Sequence, residues 1–249
     1  MLEEWIRIQH VKGNRDGGEM GSTLLKLYGD EPFPYPLTQA APEGTPQDIL
    51  GHAISEYKKG HLTPELVDAT WQTIWKTWGE RINHTFQVPS CDRTPEELGG
   101  LAGKNRAVLL VPDEIYTKEG LVLIGKMFPK IQGWTKSENV KVKDNNGGSI
   151  DIEMDIDSPN RNTSEDKARN IFIRERRRVQ RFATYIVGSQ FSQLLTGRYL
   201  DEGSTWSRCF DSVSGGFAVA KFESDGRLKV ARLSVHPSLG YRSEGVKEA

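Results

Sequence analysis

Residues 149–157 read Ser-Ile-Asp-Ile-Glu-Met-Asp-Ile-Asp. Ile150, Ile152, Met154 and Ile156 alternate without a break with Asp151, Glu153, Asp155 and Asp157. Successive side chains of a strand point to opposite faces, so a period of two predicts a half-buried strand with its carboxylates on a solvated face. Four carboxylates in a row also raise the question of a hard cation, which prefers oxygen ligands. Along one strand face, however, side chains at i and i+2 stand in a line about 7 Å apart and do not converge.

Other stretches carry the helical period, and the two together predict an α+β fold. Thr45-Pro46 and Thr63-Pro64 each place a capping hydroxyl before a proline at the first helical position. Helices are predicted over 45–60 and 63–81, and a shorter one opens at Thr94. Val67, Trp71, Ile74, Trp75 and Trp78 fall on one stripe of the second helix. The stripe suits core packing, or docking on the rest of the chain or on a partner subunit. Arg106–Pro112 predicts a buried strand and 118–129 an amphipathic helix, with no glycine-rich turn between them to hold a dinucleotide. Residues 170–197 predict the longest helix, ending at Gly197. Its first part bears Arg174, Arg176, Arg177, Arg178 and Arg181, a cluster suited to salt bridges and a solvated face. Phe217–Phe222 and Arg227–Val235 are joined through Asp225-Gly226, a strong hairpin signal, and Leu239–Ser243 begins a closing strand. Residues 12–22 form a Gly-rich lead-in, and 32–36 a proline-punctuated strap.

Composition narrows the function. With 249 residues, 36% hydrophobic, a sizeable core is available. A formal net charge of −1 gives no basic excess for a nucleic acid. The apolar runs are too short to span a membrane, and the polar opening Met1–Gly13 is no secretory signal. A soluble product, cytoplasmic on synthesis, is expected. Cys91 and Cys209 make no metal pattern and fit two reduced thiols. His10, His52, His61, His84 and His236 are scattered. No nucleophile elbow, zinc-binding helix or phosphate loop is present, so nothing argues for an enzyme or a cofactor.

Residues 205–243 contain a mixture that fits neither a core pattern nor a catalytic motif. Thr205-Trp-Ser-Arg208, Ser224-Asp-Gly-Arg-Leu-Lys-Val230 and Leu239-Gly-Tyr-Arg-Ser-Glu-Gly-Val-Lys247 resemble the end of C-type-lectin-fold domains of the formylglycine-generating-enzyme type. More narrowly, they resemble the variable proteins of diversity-generating retroelements, carried by phages, archaeal viruses and small-genome microbes. The resemblance covers about residues 90–249. It implies a C-type lectin fold with an N-terminal, mostly helical extension over residues 1–89. It also implies a constant scaffold carrying diversified ligand-binding residues, since a reverse transcriptase copies a template repeat with errors at adenines. Such errors in AAC codons yield NNC codons, which never encode Lys, Glu, Gln, Met or Trp. On that basis the binding positions are Cys209, Phe210, Val213, Ser214, Phe217, Arg232, Ser234, Val235, His236, Ser238 and Tyr241. Trp206, Lys221, Glu223, Lys229, Glu244 and Lys247 are scaffold. The ligand implied is a protein or other macromolecule, with a virion or cell surface as the final location. The oxidase members of the fold use paired active-site cysteines; this chain lacks such a pair, which favours a binding protein.

Two rival readings stand beside this one. The first is a metal-dependent phosphodiesterase or nuclease using Asp151–Asp157, with the Arg174–Arg181 cluster for phosphate. The second is a structural virion protein that forms a homo-oligomer through its N-terminal helices.

Overall fold

Thr63 and Thr94 start helices by the route their sequence predicts. In the computed structural model, which describes residues 46–59, 61–135, 140–141, 147–213, 216–231 and 237–246, the Thr63 hydroxyl accepts the Leu66 N–H. Thr94 forms a reciprocal capping box with Glu97. The helices are α1 (Pro46–Lys59), α2 (Pro64–Glu80) and α3 (Pro95–Ala102). The expected lead-in at 12–22 and strap at 32–36 lie outside the described residues.

The apolar stripe of α2 closes a sheet edge. Strand β1 (Arg106–Val111) is an edge strand of the first sheet, and its outward carbonyls need donors. The Trp71 indole N–H donates to the Val108 carbonyl at 2.9 Å, and the Trp75 indole N–H to the Leu110 carbonyl at 2.7 Å. The match is geometric: four helical residues rise about 6 Å, and two strand residues about 6.8 Å. Trp71 and Trp75 are thereby buried, with Trp78 and Phe86 packed beside Trp75 at 5.2 and 4.8 Å between ring centroids.

Beyond β1 the chain makes a short 3₁₀ turn (Asp113–Tyr116) and α4 (Lys118–Met127), as the amphipathic pattern predicts. After further short helical turns come β2 (Val140–Lys141) and β3 (Gly148–Glu153). The predicted 170–197 helix is in fact two helices, α5 (Glu165–Arg174) and α6 (Phe182–Thr196), split by strand β4 (Arg178–Val179). Arg176 stands at the break with φ 51°. Arg177 and Arg181, on either side of β4, pair with the buried carboxylates of Asp151 and Glu244.

The first sheet has the order β1-β3-β9-β4, antiparallel throughout, with β9 (Ser243–Val246) inserted between β3 and β4. Ile150 and Ile152 face the core, where α6 packs. The second sheet holds β5 (Trp206–Val213), β6 (Gly216–Phe222) and β7 (Leu228–Ala231), with β2 pairing the far end of β5 and β8 (Leu239–Tyr241) running parallel to its beginning. The β6–β7 hairpin turns at Gly226, φ 83°. The architecture is mixed α+β.

Two sequence expectations need correction here. Residues 44–249 form one compact unit, so α1 and α2 belong with the sheets and not to an extension ending at residue 89. The reason is the tryptophan stripe, which sits in the same core as β1 and α6, with Trp71 against Phe191 at 4.8 Å. Asp151 and Glu153 are buried, not solvated. Residues far away in sequence bring arginines over that face of β3, as described next.

Candidate functional site

The sheet built from residues 206–241 contains the segment that the sequence singles out. In β5, Ser207, Cys209 and Asp211 are buried, while Trp206, Arg208 and Phe210 between them are half-buried. A strand alternates faces, so the second set lines the outer side. In register, Ser207 lies opposite Ala220 and Arg208 opposite Val219; β6 then pairs with β7 as Lys221 opposite Lys229 and Val219 opposite Ala231. The β5–β6 register shifts between Arg208 and Ser212, after which Ser212 faces Phe217 and Val213 faces Gly216.

This geometry sorts the predicted binding residues. Phe210 is half-buried on the outer side, its N–H bonded to the Gln180 carbonyl at 2.9 Å. The backbone of Val213 and Phe217 lies at the end where β5 joins β6. Strand β7 runs toward that same end and stops at Ala231. Ser238 is at the opposite end of β5, half-buried, its carbonyl accepting the Trp206 N–H. Ser214, Arg232, Ser234, Val235 and His236 lie outside the described residues.

Two of the predicted residues are core. Cys209 is fully buried among the apolar side chains, and its burial pushes the thiol well above its usual range. Tyr241 is buried against Phe172, edge to face at 6.5 Å, with the Arg208 guanidinium 5.0 Å from its ring centre. Neither offers a side chain to a ligand. Cys209 obeys the alternation of β5, whereas Tyr241 lies in register with Arg208 and is buried against Phe172 of α5.

The residues expected as scaffold hold structural contacts. Lys221 donates to the Gly203 carbonyl at 3.0 Å and lies 5.2 Å from the Trp206 ring. Lys229 pairs with Glu223 at 2.6 Å, which holds the Glu223 carboxyl below its usual range. Glu244 is fully buried and accepts from Arg178 at 2.8 Å and Arg181 at 2.6 Å. Arg181 in turn stacks on Tyr116, 3.7 Å from the ring centre. Lys247 lies outside the described residues.

Beneath the sheet sits a buried polar network that sequence reasoning missed. Arg242 donates to Ser207 Oγ at 3.0 Å, to the Ile156 carbonyl at 2.9 Å and to Asp201 at 3.3 Å. Asp201 also accepts from Thr205 at 2.7 Å and Ser207 at 2.6 Å. Arg242 and Asp201 are fully buried, and a buried ion pair persists only with its remaining hydrogen-bonding groups satisfied. The available signal was an arginine inside the apolar pattern Leu239-Gly-Tyr-Arg-Ser.

A second ionic cluster occupies the outer face of β3. Asp151 is bonded to Arg177, and Arg93 approaches it at 3.5 Å. Glu153 accepts from the Ser243 N–H and Oγ, both at 2.8 Å, with Arg106 at 4.0 Å. Asp155 accepts from Asn105 at 2.8 Å. The carboxylate strand is thus tied to arginines, and among the described residues no three acidic, histidine or cysteine side chains are grouped to hold a metal ion.

Comparison with known proteins returned no matching family model, curated protein or solved structure.

Proposed function

We propose that this chain is a ligand-binding protein that diversifies the outer side and joined end of the 206–241 sheet on a constant lectin-like scaffold. The observation that carries it is the division of roles within the sheet. Trp206, Lys221, Glu223, Lys229 and Glu244, which NNC codons never encode, are engaged in contacts that brace the fold. Phe210 is half-buried, and the backbone of Val213 and Phe217 lies where β5 joins β6. The binding set is therefore Phe210, Val213, Ser214, Phe217, Arg232, Ser234, Val235, His236 and Ser238, without Cys209 and Tyr241. A macromolecular ligand suits this mixture of aromatic, basic and small polar residues.

The rival readings find less support. The phosphodiesterase reading needs free, convergent carboxylates, and Asp151 and Glu153 are engaged by arginines and by Ser243. The oligomer reading needs an available tryptophan stripe, and that of α2 is buried within its own chain.

The test is to sequence the DNA around the gene. The expected result is an imperfect copy of the codons for residues 205–243, beside a reverse-transcriptase reading frame, differing almost only where the copy holds adenine. Mismatches independent of adenine, or no copy, would overturn the reading.

A further inference from the structure

The outer stripe of α2 and the chain that follows it enclose a cleft. After α2 the backbone turns at Asn83, φ 52°, and the His84 N–H donates to the Gly79 carbonyl at 3.0 Å. A Cβ on Gly79 would overlap the His84 carbonyl, so glycine permits this close return. The chain then runs back along the helix: Phe86 packs on Trp75, and the Cys91 N–H donates to Asp68 at 2.6 Å. Between the two lies a cleft of about 500 Å³, a size common to small-ligand sites. Gln72, Lys76 and Glu80, on successive turns of one helix face, line one side. His84, Phe86 and Val88 line the other.

The polar groups of this cleft are unevenly engaged. His84 is held by Glu114 of the 3₁₀ turn at 3.0 Å. Among the described residues Lys76 and Glu80 form no ion pair. They stand at i and i+4, but Lys preceding Glu is the weaker order for such a pair. Among the described residues, the backbone from Thr85 to Val88 makes no backbone hydrogen bond either. The cleft therefore offers one cation, one carboxylate, an apolar wall at Phe86 and Val88, and open main-chain donors and acceptors.

We propose that this cleft binds a dipeptide with free amino and carboxyl ends. Its carboxylate meets Lys76, its ammonium meets Glu80, and its amide meets the main chain of residues 85–88. An apolar side chain rests against Phe86 and Val88. The spacing selects this ligand. Four helical residues rise about 6 Å, and the terminal charges of an extended dipeptide stand about 6 Å apart. An acidic or a basic ligand would leave one of the two charges unanswered, and an uncharged ligand both. The proposal draws nothing from the 206–241 sheet, so it and the proposed function stand or fall separately.

The probe is the dipeptide Gly-Phe, titrated into the isotopically labelled protein while its amide resonances are followed by NMR. Gly-Phe amide, N-acetyl-Gly-Phe and free phenylalanine serve as comparisons. The expected result is weak, low-millimolar binding of Gly-Phe that moves the amides of residues 72–88. Blocking either end of the peptide is expected to weaken binding about three- to fivefold, the scale of exposed ion pairs. Free phenylalanine, whose charges stand closer together, is expected to bind more weakly as well. Lys76→Gln is expected to weaken Gly-Phe and to leave Gly-Phe amide unchanged. Glu80→Gln is expected to weaken Gly-Phe and to leave N-acetyl-Gly-Phe unchanged, since each blocked peptide has already lost the contact that its variant removes. Lys118→Gln, at an exposed site on α4, is expected to change nothing. Lys76 and Glu80 are exposed, so unchanged melting temperatures separate lost binding from lost fold. No movement of these amides at tens of millimolar peptide would overturn the proposal. So would equal affinity for free and blocked peptides, or a loss on Lys76→Gln that is the same for Gly-Phe and its amide.

Discussion

At the scale of single residues, Cys209 and Phe210 are chain neighbours with opposite fates. Cys209 points into the core and Phe210 outward, as strand alternation requires. Thiol labelling checks this directly. The native protein at pH 8 is expected to react with a disulfide reagent at the half-buried Cys91 alone, slowly because burial also raises that thiol. Both thiols react in denaturant. Rapid labelling of two native thiols would put Cys209 back on the surface. Tyr241 makes the matching case by truncation. Tyr241→Ala removes a buried ring from its contact with Phe172 and is expected to cost about 3 kcal/mol in urea unfolding, on the scale of other buried aromatics. Phe210→Ala is expected to cost well under half as much. Equal losses would mean that Phe210 is core as well. Which of the candidate side chains are buried was only partly legible in the sequence, because permitted codons say nothing about which way a side chain points. Arg242 shows the same limit. An arginine in an apolar strand announces a buried charge, but its partner Asp201 lies 41 residues away in the chain and no local pattern links them. Asp201→Asn is expected to destabilise by about 3–5 kcal/mol, because it strands a buried guanidinium. A loss below 1 kcal/mol in equilibrium unfolding would count against that burial.

At the scale of elements, local chemistry was legible and long-range pairing was not. The helix starts at Thr63 and Thr94, strand β1 and the Asp-Gly hairpin appear where local chemistry puts them, while β3 takes up only the first part of the predicted 149–157 and ends at Glu153. The solvated face assigned to β3 failed because burial is decided by what crosses the strand. Ser243 comes from β9, and Arg93 and Arg177 come from loops on either side in sequence. Gly245 records that crowding: a Cβ there would overlap the Asp151 carboxylate and approach Arg177 at 2.8 Å. The arginine run misled as well, since its helical period continues across the break at Arg176. The tryptophans of α2 allow a cleaner element-level test. Trp71→Phe and Trp75→Phe keep most of the apolar volume but leave a buried β1 carbonyl without its donor. Each is expected to cost about 1–3 kcal/mol, with faster amide exchange along β1 than along β9. Exchange unchanged in β1 would mean that the indoles fill space and do not close the edge.

At the scale of the whole molecule, the distribution of buried titratable groups sets how stability depends on pH. Tyr116 and Tyr185 are fully buried, and desolvation lifts both phenols above their usual range, as it does the Cys209 thiol. The Tyr116 and Thr184 hydroxyls are hydrogen-bonded at 2.7 Å, and Tyr185 donates to the Leu200 carbonyl at 3.2 Å; it is burial that holds both phenols neutral. A group whose folded pKa lies above its unfolded value contributes stability that is whole below the unfolded pKa and is lost as pH rises toward the folded one. The unfolded chain releases these protons first, from about pH 8.5 for the thiol and about pH 10 for the phenols. Stability on this account is level from pH 7 to about 8.5 and then falls, by up to about 1.4 kcal/mol per pH unit for each group still protonated in the fold. Urea unfolding between pH 7 and 11 measures the curve. Cys209→Ser removes the thiol and is expected to delay the onset, and Tyr185→Phe to reduce the slope above pH 10 at the cost of one hydrogen bond. A curve that stays level to pH 11 would show that these groups ionise as readily in the fold as outside it. It would also contradict the core that joins α6 and α2 to both sheets, because Tyr116, Tyr185 and Cys209 come from three different elements of that core.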